Sequence, residues 1–292
     1  MIKAIIISLR PKQWTKNLFV FAGLIFANKF LELSYLFKSV AAFLAFCLLS
    51  GAVYLINDVI DMDDDRKHLT KRSRPIASGE VSVPLALCSA AALTAISLAS
   101  AYYLNLQFFY CAVSYLVLMF LYSLVLKKVV FLDVFSIAVG FVLRAVAGIV
   151  VIAVAYSAWI VICTLLLSLL IALGKRRCEL MRFAHGQKGF RGVLKDYNSQ
   201  LLDQLISAVA GATIIAYSLY TLWPDTVERF HTHDLVYSVP FVLYGIFRYL
   251  YLIYKKGKGG YPEELPLTDM PLTIDILLWM VIVLLIIYFK GL

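Results

Sequence analysis

Charge is scarce in this sequence. Only 15% of its 292 residues are Asp, Glu, Lys or Arg, whereas average soluble domains carry about 25%. Because 62% of the residues are hydrophobic, the two soluble domains that the length would allow are excluded. Cysteine usage excludes more. Cys47, Cys88, Cys111 and Cys163 lie in apolar runs and Cys178 lies beside charged residues, with no paired spacing, so neither a disulfide framework nor a zinc site is expected. The four histidines are scattered, and the HxH of His231 and His233 reads as a polar loop. The opening "MIKAIIISLRPKQWTKN" has an apolar run of only about five residues and no small-residue cleavage site, which argues against a secretory leader. It reads as an interfacial helix over about 1–16, with Trp14 at head-group level and Lys12 and Lys16 near the phosphates.

What is present is a series of apolar runs close to the ~20 residues needed to cross a bilayer. They lie near 17–35, 37–56, 83–104, 107–126, 130–152, 157–174, 204–223, 235–254 and 272–290. The expected fold is therefore all-α: a polytopic membrane protein forming one integral-membrane domain, 1–292. About nine transmembrane helices would surround a central cavity open to the cytoplasmic side. Most Lys and Arg fall in alternate polar segments, before 17, at 66–74, at 127–128, at 175–195 and at 255–258, while Lys29, Lys38, Arg229 and Lys290 fall on the other side. The positive-inside rule then places the N-terminus in the cytoplasm and the C-terminus outside. The formal charge of +9 is a topology signal, and nucleic acid is not the expected partner.

Two polar stretches, about 57–82 and 174–203, follow the second and sixth spans and hold the candidate site. The first begins "NDVIDMDDDRKHLTKRSRP". At 100° per residue, Asp58, Asp61 and Asp65 share an arc of about 60°, with Asn57 one step aside. Carboxylates so placed repel one another unless a cation sits among them. A hard divalent ion such as Mg2+ relieves this with oxygen ligands, leaving positions for water and substrate phosphate. Asn57, Asp58, Asp61 and Asp65 are thus the candidate metal ligands. Lys71, Arg72 and Arg74 just downstream are candidates for phosphate oxygens. Arg144, in "VGFVLRAVAGIV", is a cation within a span, where insertion costs at least ~2.5–3.5 kcal/mol. It is expected to face an anionic substrate, a structural pairing with Asp133 or backbone carbonyls being the alternative. Arg248, in "FRYLYLIY", is a second such cation.

These residues carry a resemblance. "NDVIDMDDD" fits the NDxxDxxxD pattern of the UbiA superfamily of intramembrane prenyltransferases, and "RPIASG", Arg74 to Gly79, follows as expected. "RPKQWTKN", "LRAVAG", "GKRRCEL" and "PEELPLTD" resemble one branch, the polyprenyl-phosphate (decaprenyl-phosphate) phosphoribosyltransferases. Ordinary superfamily members carry a second DxxxD-type motif after the sixth span. Here "LGKRRCELMRF" stands there, with Lys175, Arg176, Arg177 and Glu179, and in "KDYNSQLLD" Asp196 and Asp203 are too far apart for that motif. A basic cluster in place of an acidic one suits a donor with an additional phosphate at its other end, as in phosphoribosyl diphosphate. Tyr197 matches a similar tyrosine in the family.

The resemblance implies Mg2+-dependent transfer of 5-phosphoribosyl from phosphoribosyl diphosphate to a polyprenyl phosphate at the cytoplasmic face of the inner (plasma) membrane. Asp58, Asp61 and Arg144 would be catalytic, and Lys16 and Asn17 would hold the lipid phosphate. The acceptor phosphate is already ionised, so its oxygen could attack C1 of ribose without a general base, through an oxocarbenium-like transition state and with inversion. A prenyltransferase using an isoprenoid diphosphate is the first alternative, and an anion transporter the second. The sequence leaves open the polyprenol length and whether copies associate as a homo-oligomer.

Overall fold

The computed structural model describes residues 2–27, 29–67, 71–155, 157–184, 192–257, 259–260 and 264–289. Residues 68–70 and 185–191 of the two polar stretches lie outside the described residues, as do Lys258 and Lys290. Every regular element among the described residues is helical. The chain divides into two compact units, Met1–Tyr156 with His185–Val193, and Ser157–Ala184 with Leu194–Leu292.

The first unit contains α1 (Ile2–Ser8), a 3-10 helix (Pro11–Phe21), α2 (Ala22–Phe26), α3 (Leu33–Ile60), α4 (Met62–Lys67), α5 (Val83–Leu104), α6 (Leu106–Leu124) and α7 (Leu132–Val151). The second contains α8 (Ala158–Ala184), α9 (Ser199–Leu222), α10 (Pro224–Phe230), α11 (Val239–Tyr254), α12 (Leu265–Thr268) and α13 (Met270–Phe289). Among the described residues, eight helical segments are long and apolar enough to cross a membrane: α3, α5 to α9, α11 with the turn before it, and α13. The protein is a multi-pass integral membrane protein of the all-α class, as expected.

The run expected over 17–35 takes a different form. It begins at Pro11 as a 3-10 helix and ends as α2 at Phe26. With ~2.0 Å rise per residue in the 3-10 part and ~1.5 Å in α2, this run is about 30 Å long, the thickness of the hydrocarbon core. It lies antiparallel to α3: Arg10 meets Asp58, Asn17 meets Ser50, and the Phe21 ring is 5.5 Å from that of Phe43. The stretched helix is not among the eight segments long and apolar enough to cross a membrane, but it packs closely on α7. Gly148 on α7 permits it, because a Cβ there would overlap the Val20 carbonyl oxygen. Small residues at membrane helix interfaces let backbones approach this closely.

The core of the first unit is aromatic at its centre. Phe46 of α3 packs on Phe108 and Tyr115 of α6, with centroids 5.7 and 5.4 Å away. Ser97 of α5 donates to the Ala45 carbonyl of α3 at 2.8 Å. In lipid such a bond, with dispersion, replaces the hydrophobic drive that holds soluble helices together. In the second unit Tyr249 of α11 reaches the Ile171 carbonyl of α8 at 3.3 Å. Asp269 caps α13 by accepting from the Leu272 N–H at 3.2 Å. α8 continues to Ala184, ten residues past the expected end at 174, so Lys175, Arg176 and Arg177 are helical rather than the start of a loop.

Candidate active site

α3 does not end where its apolar run ends. Asp61 N–H still bonds to the Asn57 carbonyl at 2.9 Å and Asp65 N–H to that of Asp61 at 2.8 Å, so the helical path continues with only a local break at Asp61. Asp58 and Asp65, two turns apart, therefore share a face. One guanidinium nitrogen proves it: Arg74 Nη1 donates to Asp58 Oδ1 at 3.1 Å and to Asp65 Oδ2 at 2.5 Å. Arg10 also donates to Asp58 Oδ1. Asp61 accepts from Lys127 Nζ at 2.5 Å and from the Asn57 amide at 3.0 Å. Three carboxylates are thus met by three cations. The Asp58 and Asp65 side chains are only 3% and 5% exposed and that of Asp61 is 25% exposed, and a buried charge is costly unless it is paired in this way.

Each cation is positioned by its local fold. Arg10 has left-handed backbone angles, φ 53° and ψ 61°, at the corner between α1 and the 3-10 helix. Its guanidinium lies 4.8 Å from the Tyr54 ring centroid. Arg74 opens the "RPIASG" turn, closed by bonds from Ser78 N–H to the Arg74 carbonyl at 2.8 Å and from Val81 N–H to that of Pro75 at 2.9 Å. Gly79 has φ +86°, a conformation that costs glycine little and other residues more. Ile76 and Val81, each 1% exposed, seat the turn in a cluster with Ala4, Ala52 and Leu55. Arg66 Nε adds a bond to the Ala77 carbonyl at 3.2 Å. Lys71 is half-buried and Arg72 exposed in the same segment.

The donor set is all oxygen, which suits a hard divalent cation completed by water and phosphate. Among the described residues, no three His, Cys, Asp or Glu side chains gather within common metal reach. The cations Arg10, Arg74 and Lys127 occupy the carboxylate oxygens instead. Asn57, Asp58, Asp61 and Asp65 fit such an ion chemically, provided those cations turn to another anion when it binds.

Several expected residues sit elsewhere than the sequence suggested. Asn17, expected at the membrane edge with the lipid phosphate, is fully buried. Its amide donates to Cys47 Sγ at 3.3 Å and to Ser50 Oγ at 3.2 Å, and its oxygen accepts from Arg144 Nε at 2.7 Å. Arg144, expected against a substrate, is closed in by neutral acceptors: Asn17, the Gly140 carbonyl at 3.0 Å and the Tyr115 hydroxyl at 2.7 Å. Its guanidinium also lies 4.5 Å from the Tyr115 ring centroid. The pair clamps the 3-10 helix to α3, α6 and α7. Lys16 is half-buried and donates to Gln13 at 3.1 Å.

In the second unit Arg176 is 2% exposed and pairs with Glu179 one turn on. Arg177 pairs with Asp203 of α9 at 2.5 Å and stacks 4.1 Å from the Tyr254 ring centroid. Arg248 grips Asp269 with two bonds of 2.9 Å, the fork geometry that makes Arg–carboxylate pairs strong. Tyr197 is buried and Lys175 half-buried. Arg176 and Arg248, expected on a phosphate, are thus committed to protein carboxylates. Conversely, Arg10 and Lys127, which the sequence presents only as topology charges, sit against the aspartates. No spacing rule links either to an aspartate 48 or 66 residues away.

Helices long and apolar enough to cross the bilayer, with a buried lattice of acids and bases at the end of one of them, define a multi-pass membrane protein. The chain belongs to the UbiA prenyltransferase family, whose model matches residues 17–260, and it is a transferase. It is 33% identical over 290 residues to a Mycolicibacterium smegmatis protein named decaprenyl-phosphate phosphoribosyltransferase, covering 96% of this chain and 91% of that one. A Corynebacterium glutamicum protein of the same name is 32% identical over 297 residues, covering 99% and 86%. The structure of a UbiA homolog from Archaeoglobus fulgidus bound to GPP and Mg2+ superposes with a TM-score of 0.72 at 21% identity, covering 97% of this chain and 99% of that one. That likeness shows the fold.

Proposed function

We propose that this protein transfers 5-phosphoribosyl from phosphoribosyl diphosphate to a polyprenyl phosphate such as decaprenyl phosphate, releasing diphosphate and giving polyprenyl-phosphoryl 5-phosphoribose. The observation that carries the reading is the ion-pair lattice of Asp58, Asp61 and Asp65 with Arg10, Arg74 and Lys127, in which Arg74 bridges Asp58 and Asp65, in a chain similar over nearly its whole length to enzymes named for that transfer. The site would lie at the cytoplasmic face of the inner membrane, where the positive-inside rule puts it.

A bound Mg2+ supplies Lewis-acid stabilisation of the departing diphosphate. Asn57, Asp58, Asp61 and Asp65 would hold it. Arg10, Arg74 and Lys127, released from the carboxylates, would then donate to diphosphate oxygens, with Lys71 and Arg72 as neighbouring candidates. Since these cations are preorganised in a site of low dielectric, they stabilise charge that develops as C1 leaves the diphosphate. Lys16 remains the candidate for the lipid phosphate.

The test incubates membranes containing the protein with Mg2+, polyprenyl phosphate and either labelled phosphoribosyl diphosphate or labelled prenyl diphosphate. Label from the phosphoribosyl donor in the lipid phase is the expected result. Label only from the prenyl donor would replace this reading with a prenyltransferase.

A further inference from the structure

We infer that the indole N–H of Trp14 donates a hydrogen bond to a phosphoryl oxygen of a substrate, an inference that rests on the phosphoribosyl-transfer reading and adds a binding residue to it. Among the described residues, three side-chain polar atoms are sealed from solvent without a hydrogen-bond partner: Trp14 Nε1, Ser39 Oγ and Ser168 Oγ. The two serines lie inside α3 and α8, where a hydroxyl need only rotate to reach the carbonyl one turn back. Ser100 and Ser123 do so here, at 2.8 and 3.0 Å. An indole has no such remedy. It is a donor only, and its N–H turns only if the whole ring turns. A buried donor left unpaired keeps its full desolvation cost, so this one calls for an acceptor that the described residues do not supply.

The 3-10 helix fixes where that donor lies. With three residues per turn, side chains three apart eclipse one another, so Trp14 shares its side with Asn17 and Val20, both fully buried. Lys12, Thr15 and Leu18 form the exposed side. Along α3, Ser50 and Asp58 are two turns apart and meet Asn17 and Arg10 respectively. Trp14, between Arg10 and Asn17, therefore stands level with Tyr54, the intervening turn of α3, whose ring centroid is 4.8 Å from the Arg10 guanidinium. It is one layer removed from the ion-pair lattice, on the way to the buried Asn17–Arg144 bond. All of these residues belong to the first unit.

The balance of donors and acceptors selects the ligand. In the layers on either side of Trp14, Asp58 Oδ1 already accepts from Arg10 and Arg74, and Asn17 Oδ1 and the Tyr115 hydroxyl accept from Arg144. A ligand hydroxyl or a water would bring a donor of its own to be paired. A phosphoryl oxygen brings acceptors alone, and a hydrogen bond to a charged acceptor is roughly twice as strong as a neutral one. The indole adds direction to such a bond without adding charge. Two sources offer this chemistry, the diphosphate of the sugar donor and the monophosphate of the polyprenyl acceptor, whereas an isoprenoid tail offers none of it.

The experiment uses the full chain in lipid nanodiscs with Mg2+, and Trp14→Phe keeps a ring while removing the N–H. The KM of one phosphate substrate rises about tenfold, the scale of one lost hydrogen bond to a charged group, with kcat within about threefold of wild type. A rise for polyprenyl phosphate assigns the bond to the acceptor, and a rise for phosphoribosyl diphosphate assigns it to the donor. The wild type labelled with 15N-tryptophan shows the bond directly: of the indole N–H resonances of its four tryptophans, the one missing from the variant moves downfield on adding that substrate. Indole resonances that stay in place in the wild type with either substrate, or wild-type KM for both substrates in the variant, overturn the proposal and leave the transfer reading standing. A wild type inert towards phosphoribosyl diphosphate but active with a prenyl diphosphate overturns that reading, and the proposal with it.

Discussion

At the end of α3 the aspartates stand among cations delivered by the corner before the 3-10 helix, by the "RPIASG" turn and by the link between α6 and α7. At the end of α8 the cations are answered locally: Arg176 by Glu179 of the same helix, and Arg177 by Asp203 of α9. The two regions have similar charge density and opposite logic. In the first, long-range pairs bring three cations from remote elements to three acids on one helix end. In the second, the charges settle a helix end and its contact with the next helix. What matters for chemistry is which elements supply the partners.

The largest expected effect lies in the first region. Asp58→Ala should lower kcat about 100- to 1,000-fold in Mg2+-dependent transfer with the fold retained, the scale of losing a main electrostatic stabiliser. Normal turnover in the folded variant would erase the contrast between the regions. Next is Arg144→Met, which removes the clamp on Asn17, Tyr115 and Gly140. It should cost about 2–4 kcal/mol of stability, because the buried acceptors lose their donor, yet change donor and acceptor KM less than about threefold. A KM effect without a stability effect, read by thermal melting alongside kinetics, would return Arg144 to the substrate. Gly148→Ala should destabilise by about 1–3 kcal/mol through overpacking against Val20, measured in the same melting assay. An unchanged melting temperature would mean that the 3-10 helix is not held at that distance. The smallest effect is expected from Arg248→Gln: a slight fall in melting temperature from the lost fork to Asp269, with donor KM unchanged. A tenfold rise in donor KM would show that the second region meets the donor through Arg248 after all.

Much of this could be read in advance where the physics is local. The span at 83–104 matches α5 residue for residue, because an uninterrupted apolar run at membrane depth has no alternative to helix. The shared face of Asp58 and Asp65 follows from helical period alone, and Arg74 confirms it. The 3-10 form of Pro11–Phe21 was not readable, because it depends on how closely Val20 approaches Gly148 of α7. Nor were the roles of Asn17 and Arg144, 127 residues apart, whose bond exists only once four helical elements have met.

By itself the sequence determined a membrane protein of many helices, its charged edges and the acidic face at the end of α3, because hydrophobic length and helical period act between near neighbours. Tertiary structure alone decided which cations face those acids, and which polar side chains are sealed inside. Both are questions of distance between remote segments, and Coulomb and hydrogen-bond energies at depth depend steeply on that distance.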